Sequence, residues 1–158
     1  MTKTYRIIEC LCLVALAAFI AVVCIAHTGG TDKDIEALAA SVSEAMDENQ
    51  MTRKTNADAY KAFHFDFAKT DGVAYFANDN IMDVSELLIV KLQDEDDAQE
   101  LKTAIKKRVT DRQNLYKSYA PAQYSLLQNC VIEVSGNAVF YCTAKNADKL
   151  LESFKEAL

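Results

Sequence analysis

The sequence has little of what catalytic and phosphate-binding sites are usually built from. Its 158 residues include four glycines, one proline, two histidines and no tryptophan. It contains neither a glycine-rich phosphate loop nor a G-x-S-x-G nucleophile elbow, so nothing indicates a P-loop nucleotide site or an α/β-hydrolase site. The five cysteines form no C-x-x-C pair, which leaves thioredoxin-like redox chemistry without support. We therefore predict no catalytic residues and no cofactor.

Metal ligands are also scarce. His64 and Asp66 would point to the same side of an extended chain, but a structural zinc site normally needs four ligands. The other histidine, His27, lies beside the apolar N-terminal segment. We expect no metal site.

Basic residues are outnumbered by acidic ones. Lys3, Arg6 and Glu9 are the only charged residues before position 27, so residues 27–158 contain 15 bases and 22 acids and carry a formal charge of −7. Such a domain is repelled by phosphate backbones and by anionic headgroups. We expect no nucleic-acid partner.

One long apolar run is present near the N-terminus. Residues 10–26, CLCLVALAAFIAVVCIA, are 17 uncharged residues, close to the lower limit for a membrane span. Lys3 and Arg6 precede the run, and the positive-inside rule then keeps the N-terminus in the cytoplasm. The sequence predicts a single-pass membrane anchor or signal segment at 1–26, a linker at 27–31 and an extracellular domain at 32–158.

Two other fates of this segment stay open, although we favour the retained anchor. Cys24-Ile25-Ala26 has the small residues that a signal peptidase requires, which would give a secreted protein, but the run is longer than a typical signal core. Cys24 would be the lipidated residue of a lipoprotein signal, but Val23 stands where a small residue is expected. Secretion and lipid anchoring are therefore less favoured.

Hydrophobic periodicity predicts three helices and four strands in the remainder of the chain, in the order α, β, β, α, β, β, α. The helical segments are 31–46, 94–119 and 146–158, and the strand-like segments are 72–77, 85–91 and the two arms of a hairpin in 129–144. Two consecutive hairpins most simply form a four-stranded antiparallel sheet. We predict an α+β two-layer domain with the helices on one face of this sheet.

The longest predicted helix has a polarised charge distribution. Residues 94–100 contain five acids and no base, whereas residues 102–117 contain six bases and one acid, Asp111. A basic docking patch would have this composition. We favour the alternative, which is that acids and bases complement the helix dipole at its two ends. Pro121 disfavours helical geometry at Ala120, so we expect the helix to end there.

Cys130 and Cys142 lie on opposite arms of the predicted hairpin. A two-residue turn at Gly136-Asn137 would align Cys130 with Thr143, whereas a three-residue turn would align it with Cys142 and make one face wholly apolar. Directly opposed strand residues can approach disulfide geometry, so a cross-strand bridge is one hypothesis. Buried reduced thiols are the other, and we favour it.

Several segments together resemble the bacterial family called domain of unknown function 4358. They are an N-terminal hydrophobic segment, DGVAYFANDNIMDVSELLIVKLQDEDD, RQNLYKSYAPAQYSLLQN and the hairpin VIEVSGNAVFY. The similarity covers nearly all of residues 31–158, and its most specific parts are residues 108–129 and the Gly136-Asn137 turn. It implies a small extracytoplasmic protein of clostridial-type Gram-positive bacteria, held by a membrane helix or a lipoprotein signal. It implies no activity and no catalytic residues.

The missing catalytic pattern leads to a prediction of a non-enzymatic binding or accessory module at the cell envelope. Besides the membrane, its expected partner is an envelope protein or peptide. The alternative is an envelope-acting hydrolase that uses carboxylates among the 22 acids of residues 27–158.

Overall fold

The computed structural model describes residues 33–46 and 51–158, together with Leu13, Val14 and Leu16, which are helical and exposed. The chain divides into two units, Met1–Gly30 and Thr31–Leu158. Within the described residues, no helix combines the length and the apolar character that a membrane crossing requires. Apart from those three positions, the predicted membrane segment, 10–26, lies outside the described residues.

The unit Thr31–Leu158 contains five α-helices, two one-turn 3₁₀ helices and five strands among its described residues. The helices are α1 (Ile35–Ser43), α2 (Asn56–Phe63), α3 (Ala98–Tyr116), α4 (Pro121–Gln128) and α5 (Ala147–Ala157), with one-turn 3₁₀ helices at Phe67–Lys69 and Glu95–Asp97. The strands are β1 (Thr52–Arg53), β2 (Thr70–Ala77), β3 (Glu86–Leu92), β4 (Val131–Ser135) and β5 (Ala138–Thr143).

The strands form one antiparallel sheet in the order β1-β2-β3-β5-β4, with β3 at its centre. The mixed α+β class and the antiparallel sheet agree with the sequence-based expectation, but the predicted four strands are five. The additional strand is β1, in which Thr52 pairs with Ala77 and Arg53 with Phe76. Two polar residues show no hydrophobic alternation, so only their pairing with β2 identifies them as a strand.

Helices cover both faces of the sheet, so the prediction of a two-layer domain with helices on one face is wrong. One core contains residues of α1 and α5 packed on Phe76, Ile89 and Phe140. The other contains residues of α2 and α3 packed on Tyr75, Val90 and Tyr141. Because neighbouring residues of a strand point to opposite faces, the near-continuous apolar runs of β2, β3 and β5 require two covered faces.

The chain turns between α3 and α4 at the only proline. Ala120 has φ −133° and ψ 73°, outside the helical region, as expected for the residue before Pro121. Pro121 then occupies the first turn of α4, a helix that the sequence analysis did not predict. The buried Tyr116 donates its hydroxyl hydrogen to the Ile81 carbonyl at 2.9 Å, which ties the end of α3 to the β2–β3 loop.

The hairpin of β4 and β5 has the two-residue turn. Ser135 pairs with Ala138 and Val131 with Cys142, and Gly136 has φ 55°, in the region that glycine favours. The register that aligns Cys130 with Cys142 is therefore wrong. Cys130 packs against the core under α3, whereas Cys142 belongs to the core under α1 and α5. Both cysteines are free thiols in the structure. The observed register disfavours the bridge, which stays a hypothesis.

We expect the two thiols to stay reduced and slow to react in the folded protein. Burial raises the pKa of the Cys130 thiol, and burial raises that of Cys142 to about 12, which leaves little reactive thiolate at neutral pH. Alkylation of the unfolded chain, with and without prior reduction, should give equal label uptake at Cys130 and Cys142. Uptake at both positions only after reduction would demonstrate the bridge.

Candidate functional site

Glu86 is the first residue of the central strand β3 and has no exposed surface. Among the described residues it is the only buried side chain that carries a charge. Alternation along β3 places it with Leu88 and Val90 on the face covered by α3. A buried carboxylate is costly unless it is paired and hydrogen-bonded, so its partners define the chemistry of this region.

Two tyrosines on the neighbouring strands donate hydrogen bonds to Glu86. Tyr75 on β2 and Tyr141 on β5 both pair with Leu88, two positions further along β3, and point to the same face as Glu86. The Tyr75 hydroxyl lies 3.0 Å from Glu86 Oε2, and the Tyr141 hydroxyl lies 2.7 Å from Oε1. The sheet register alone therefore directs two hydroxyl donors at the carboxylate.

Two arginines one turn apart on α3 complete the cluster. Arg108 donates from Nε to Oε1 of Glu86 at 2.9 Å and from Nη2 to Oε2 at 2.6 Å. Arg112 Nη1 lies 3.1 Å from the same Oε2. We call Glu86, Tyr75, Tyr141, Arg108 and Arg112 the Glu86 cluster.

The arginines also connect α3 to α2 and to the β2–β3 loop. Arg108 Nη1 donates to the Ala62 carbonyl at 3.1 Å, near the end of α2, and its guanidinium lies over the Phe63 ring at 5.1 Å. Arg112 Nη2 donates to the Asp83 carbonyl at 3.1 Å. The Glu86 cluster therefore fixes α2, α3 and the β2–β3 loop to one point on the sheet.

The cluster keeps Glu86 ionised. Burial by itself would raise the pKa of Glu86, but hydrogen bonds from Arg108 and the positive charges of Arg108 and Arg112 outweigh burial and hold the pKa below its ordinary value. Burial and the nearby Glu86 charge raise the pKa of Tyr75 and of Tyr141, so both hydroxyls remain protonated donors. A carboxylate held in this state does not act as a proton donor near neutral pH.

A trough lies beside the cluster, between the end of α2 and α3. Its inner part is a cavity of about 170 Å³ whose lining includes four basic side chains: Lys61, Lys107, Arg108 and Arg112. Its outer part, a cavity of about 450 Å³, has a mainly apolar lining that includes Phe65 and Thr103. The two parts share His64, Ala104 and Lys107, so we treat them as one α2–α3 trough.

His64 stands at the junction of the two parts in a left-handed conformation. It ends α2 with φ 54°, and its N–H donates to the Tyr60 carbonyl at 2.7 Å. Glycine is the usual residue at such a helix end, and a side chain there costs about 1–2 kcal/mol. Strained residues of this kind cluster at ligand sites, and this one places an exposed imidazole in the trough.

A second cavity lies between α1 and α5, with a volume of about 460 Å³. Its charged lining residues are two lysines and two glutamates, Lys33, Lys149, Glu44 and Glu156. The balanced charges select no class of ligand, and this cavity does not touch the Glu86 cluster. The α2–α3 trough is the better candidate site.

The predicted site residues have separate locations. His64 lies in the trough, whereas Asp66 accepts a hydrogen bond from the Ala68 N–H at 3.0 Å and caps the 3₁₀ turn. In the part of the chain that the structure describes, no three His, Cys, Asp or Glu residues are grouped as metal ligands.

The helix-dipole interpretation of the α3 bases is incomplete, because Arg108 and Arg112 turn inward to Glu86.

Sequence reasoning missed Glu86, although two signals for it were present. Glu86 is the only charged residue in the apolar run 84–90, and Arg108 and Arg112 are four residues apart, on one face of a helix.

The comparisons with known proteins give one match. Residues 39–144 match the model of a family described as "Domain of unknown function (DUF4358)", and this range includes the whole Glu86 cluster and the trough. No curated protein and no solved structure shows significant similarity to the chain.

Proposed function

The chain belongs to the DUF4358 family, and from that premise we propose that it is a non-enzymatic binding module of the cell envelope whose ligand occupies the α2–α3 trough. The observation that carries this proposal is the trough itself, a cavity with four basic lining residues on a unit that is acidic overall. Positive charge concentrated in one cavity of a negatively charged unit favours a specific ligand over general surface attraction.

The rigid framework under the trough supports a binding role. Arg108 and Arg112 are held by Glu86 and by backbone carbonyls, so the inner wall of the trough does not need to reorganise when a ligand arrives. Preformed sites lose less conformational entropy on binding, which increases affinity for a given contact area.

The alternative of an envelope hydrolase receives less support from the same residues. A hydrolase that uses two carboxylates needs one of them to be protonated near neutral pH, which requires a raised pKa. Glu86 has a lowered pKa, and its oxygens are engaged by two arginines and two tyrosines. Asp111, which lines the trough, is exposed and pairs with Lys107 at 2.6 Å.

The proposed location is outside the cell, on a single membrane anchor. It rests on the uncharged run of residues 10–26 and on Lys3 and Arg6 before it. A tether of this kind raises the local concentration of the trough at the envelope, so a weak ligand contact is sufficient.

One labelling experiment tests both the location and the trough. Thr103→Cys introduces a thiol at the exposed rim of the trough, and Glu152→Cys introduces one on the exposed side of α5. Intact producing cells are treated with a membrane-impermeant, thiol-reactive photocrosslinker. We expect both introduced cysteines to be labelled, and we expect a discrete photoadduct from position 103 but not from position 152.

The wild-type chain is the control for the native cysteines. Labelling of neither variant in intact cells, with full labelling after lysis, would refute the extracellular location. Identical adducts from positions 103 and 152 would refute the trough as the binding site.

A further inference from the structure

The Glu86 cluster has more positive charge than negative charge. Two guanidinium groups, on Arg108 and Arg112, share the single carboxylate of Glu86. Only 21% and 17% of the two arginine side chains are exposed, and Glu86 is fully buried. Among the described residues, no other carboxylate lies at ion-pair distance from either guanidinium, so the two arginines carry one more positive charge than their direct partner balances.

The two lysines of the inner cavity each lie beside a carboxylate, and Glu100 of the outer cavity shares Lys69 with Asp97. Lys107 pairs with Asp111 at 2.6 Å, and Lys61 lies 3.8 Å from Asp58. All four side chains are substantially exposed, so water screens them, and they do not neutralise the half-enclosed arginines. The unbalanced charge therefore belongs to the two arginines, both of which line the inner cavity.

Resting on the binding function proposed above, we infer that the ligand of the trough carries an oxyanion, a carboxylate or a phosphate, which supplies the missing negative charge beside Arg108 and Arg112. Guanidinium groups are well suited to such oxygens because their N–H groups are planar and fixed in direction. The inner cavity, at about 170 Å³, has room for one phosphate or carboxylate group. Lys61, His64 and Lys107 at its rim provide further donors.

The outer cavity determines what is attached to the oxyanion. It is wider and mainly apolar, and Phe65 and Ala104 contribute to its lining. A ligand that follows the trough therefore has an anionic end next to an apolar portion. An anionic membrane surface is a poorer occupant, because the charge of −7 on residues 27–158 opposes its approach.

The test measures binding of simple probes to the full chain in phosphatidylcholine nanodiscs by isothermal titration calorimetry. The probes are inorganic phosphate, phenyl phosphate, benzoate and the neutral benzyl alcohol. We expect saturable binding of the anions, about tenfold tighter for phenyl phosphate than for inorganic phosphate because the ring buries apolar surface. Benzyl alcohol should show no saturable binding. Comparing phenyl phosphate with benzoate identifies which oxyanion the site prefers.

Adjacent lysines provide a matched pair of variants. Lys107 lines both parts of the trough, whereas Lys106 is exposed on the same helix and lines neither. Lys107→Ala removes a cation and leaves Asp111 unpaired, so it should weaken phenyl phosphate binding about fivefold to tenfold. Lys106→Ala should change it less than twofold. His64→Gly should also weaken binding without lowering thermal stability, since glycine suits the left-handed position.

Two outcomes would overturn the inference. The first is the absence of saturable binding for every anion, and the second is an equal loss in Lys106→Ala and Lys107→Ala, which indicates diffuse attraction. Loss of phenyl phosphate binding in phosphatidylglycerol nanodiscs at physiological salt would support the oxyanion and assign it to a lipid phosphate, against the charge argument given above. A photoadduct from position 103 without anion binding would leave the binding module standing and refute only this ligand class.

Discussion

Replacing Glu86 with leucine should lower the free energy of unfolding by about 3–5 kcal/mol, the largest effect that we expect from one substitution in this chain. The variant leaves Arg108 and Arg112 half-enclosed without an anion, and it leaves the Tyr75 and Tyr141 hydroxyls without their acceptor. A buried donor or charge that loses its partner costs its full desolvation energy. Urea denaturation at pH 7 measures the change.

An exposed ion pair provides the control for this substitution. Glu36 pairs with Arg53 at 2.8 Å, but 64% of its side chain is exposed. Because water screens such a pair, Glu36→Leu should change the free energy of unfolding by less than about 1 kcal/mol. Equal losses of unfolding free energy in Glu36→Leu and Glu86→Leu would show that burial does not determine how much the Glu86 cluster contributes to stability.

The contribution of Glu86 should also depend on pH. The pKa of Glu86 is lowered in the folded protein, so its stabilising effect is fully present above its unfolded value, about 4.3. It is lost as the pH falls through the folded value. The stability difference between the wild-type chain and Glu86→Gln should therefore be constant above about pH 5 and shrink below about pH 4. A difference that grows on acidification would mean that the pKa is raised.

The sequence already indicated that both faces of the sheet are covered, and the two-layer prediction did not take this into account. In β3, residues Leu87 to Val90 are apolar at every position, so side chains on both sides of the strand need cover. The amphipathic pattern of α1 and α5 on one side and of α2 and α3 on the other supplies that cover. The prediction assigned all helices to one face because it treated the sheet as half exposed.

The Glu86 cluster is harder to predict, because it depends on several pairings at once. Tyr75 and Tyr141 reach Glu86 only in the observed register of β2, β3 and β5, and a shift of one residue would move them to the other face. Arg108 and Arg112 reach it only because α3 covers that face. Periodicity identifies α3 and β3 separately, but it does not specify which side chains of the two elements meet.

Gly72→Ala should be the second most damaging substitution, at about 3 kcal/mol, because a methyl group at this position has no room. A Cβ on Gly72 would lie 2.3 Å from Ile35 Cγ2 and 2.6 Å from Ile35 Cβ, where α1 crosses β2. Both contacts are far below van der Waals distance, so α1 or β2 must shift. Ile35→Ala removes the nearer atom and keeps the other, so it should rescue part of the loss.

A double-mutant cycle between the two positions should give a coupling of about 1 kcal/mol. Gly136→Ala, strained by its φ of 55° rather than by a neighbour, should show no coupling to Ile35→Ala. Additive effects at positions 35 and 72 would contradict the close approach of α1 to the sheet.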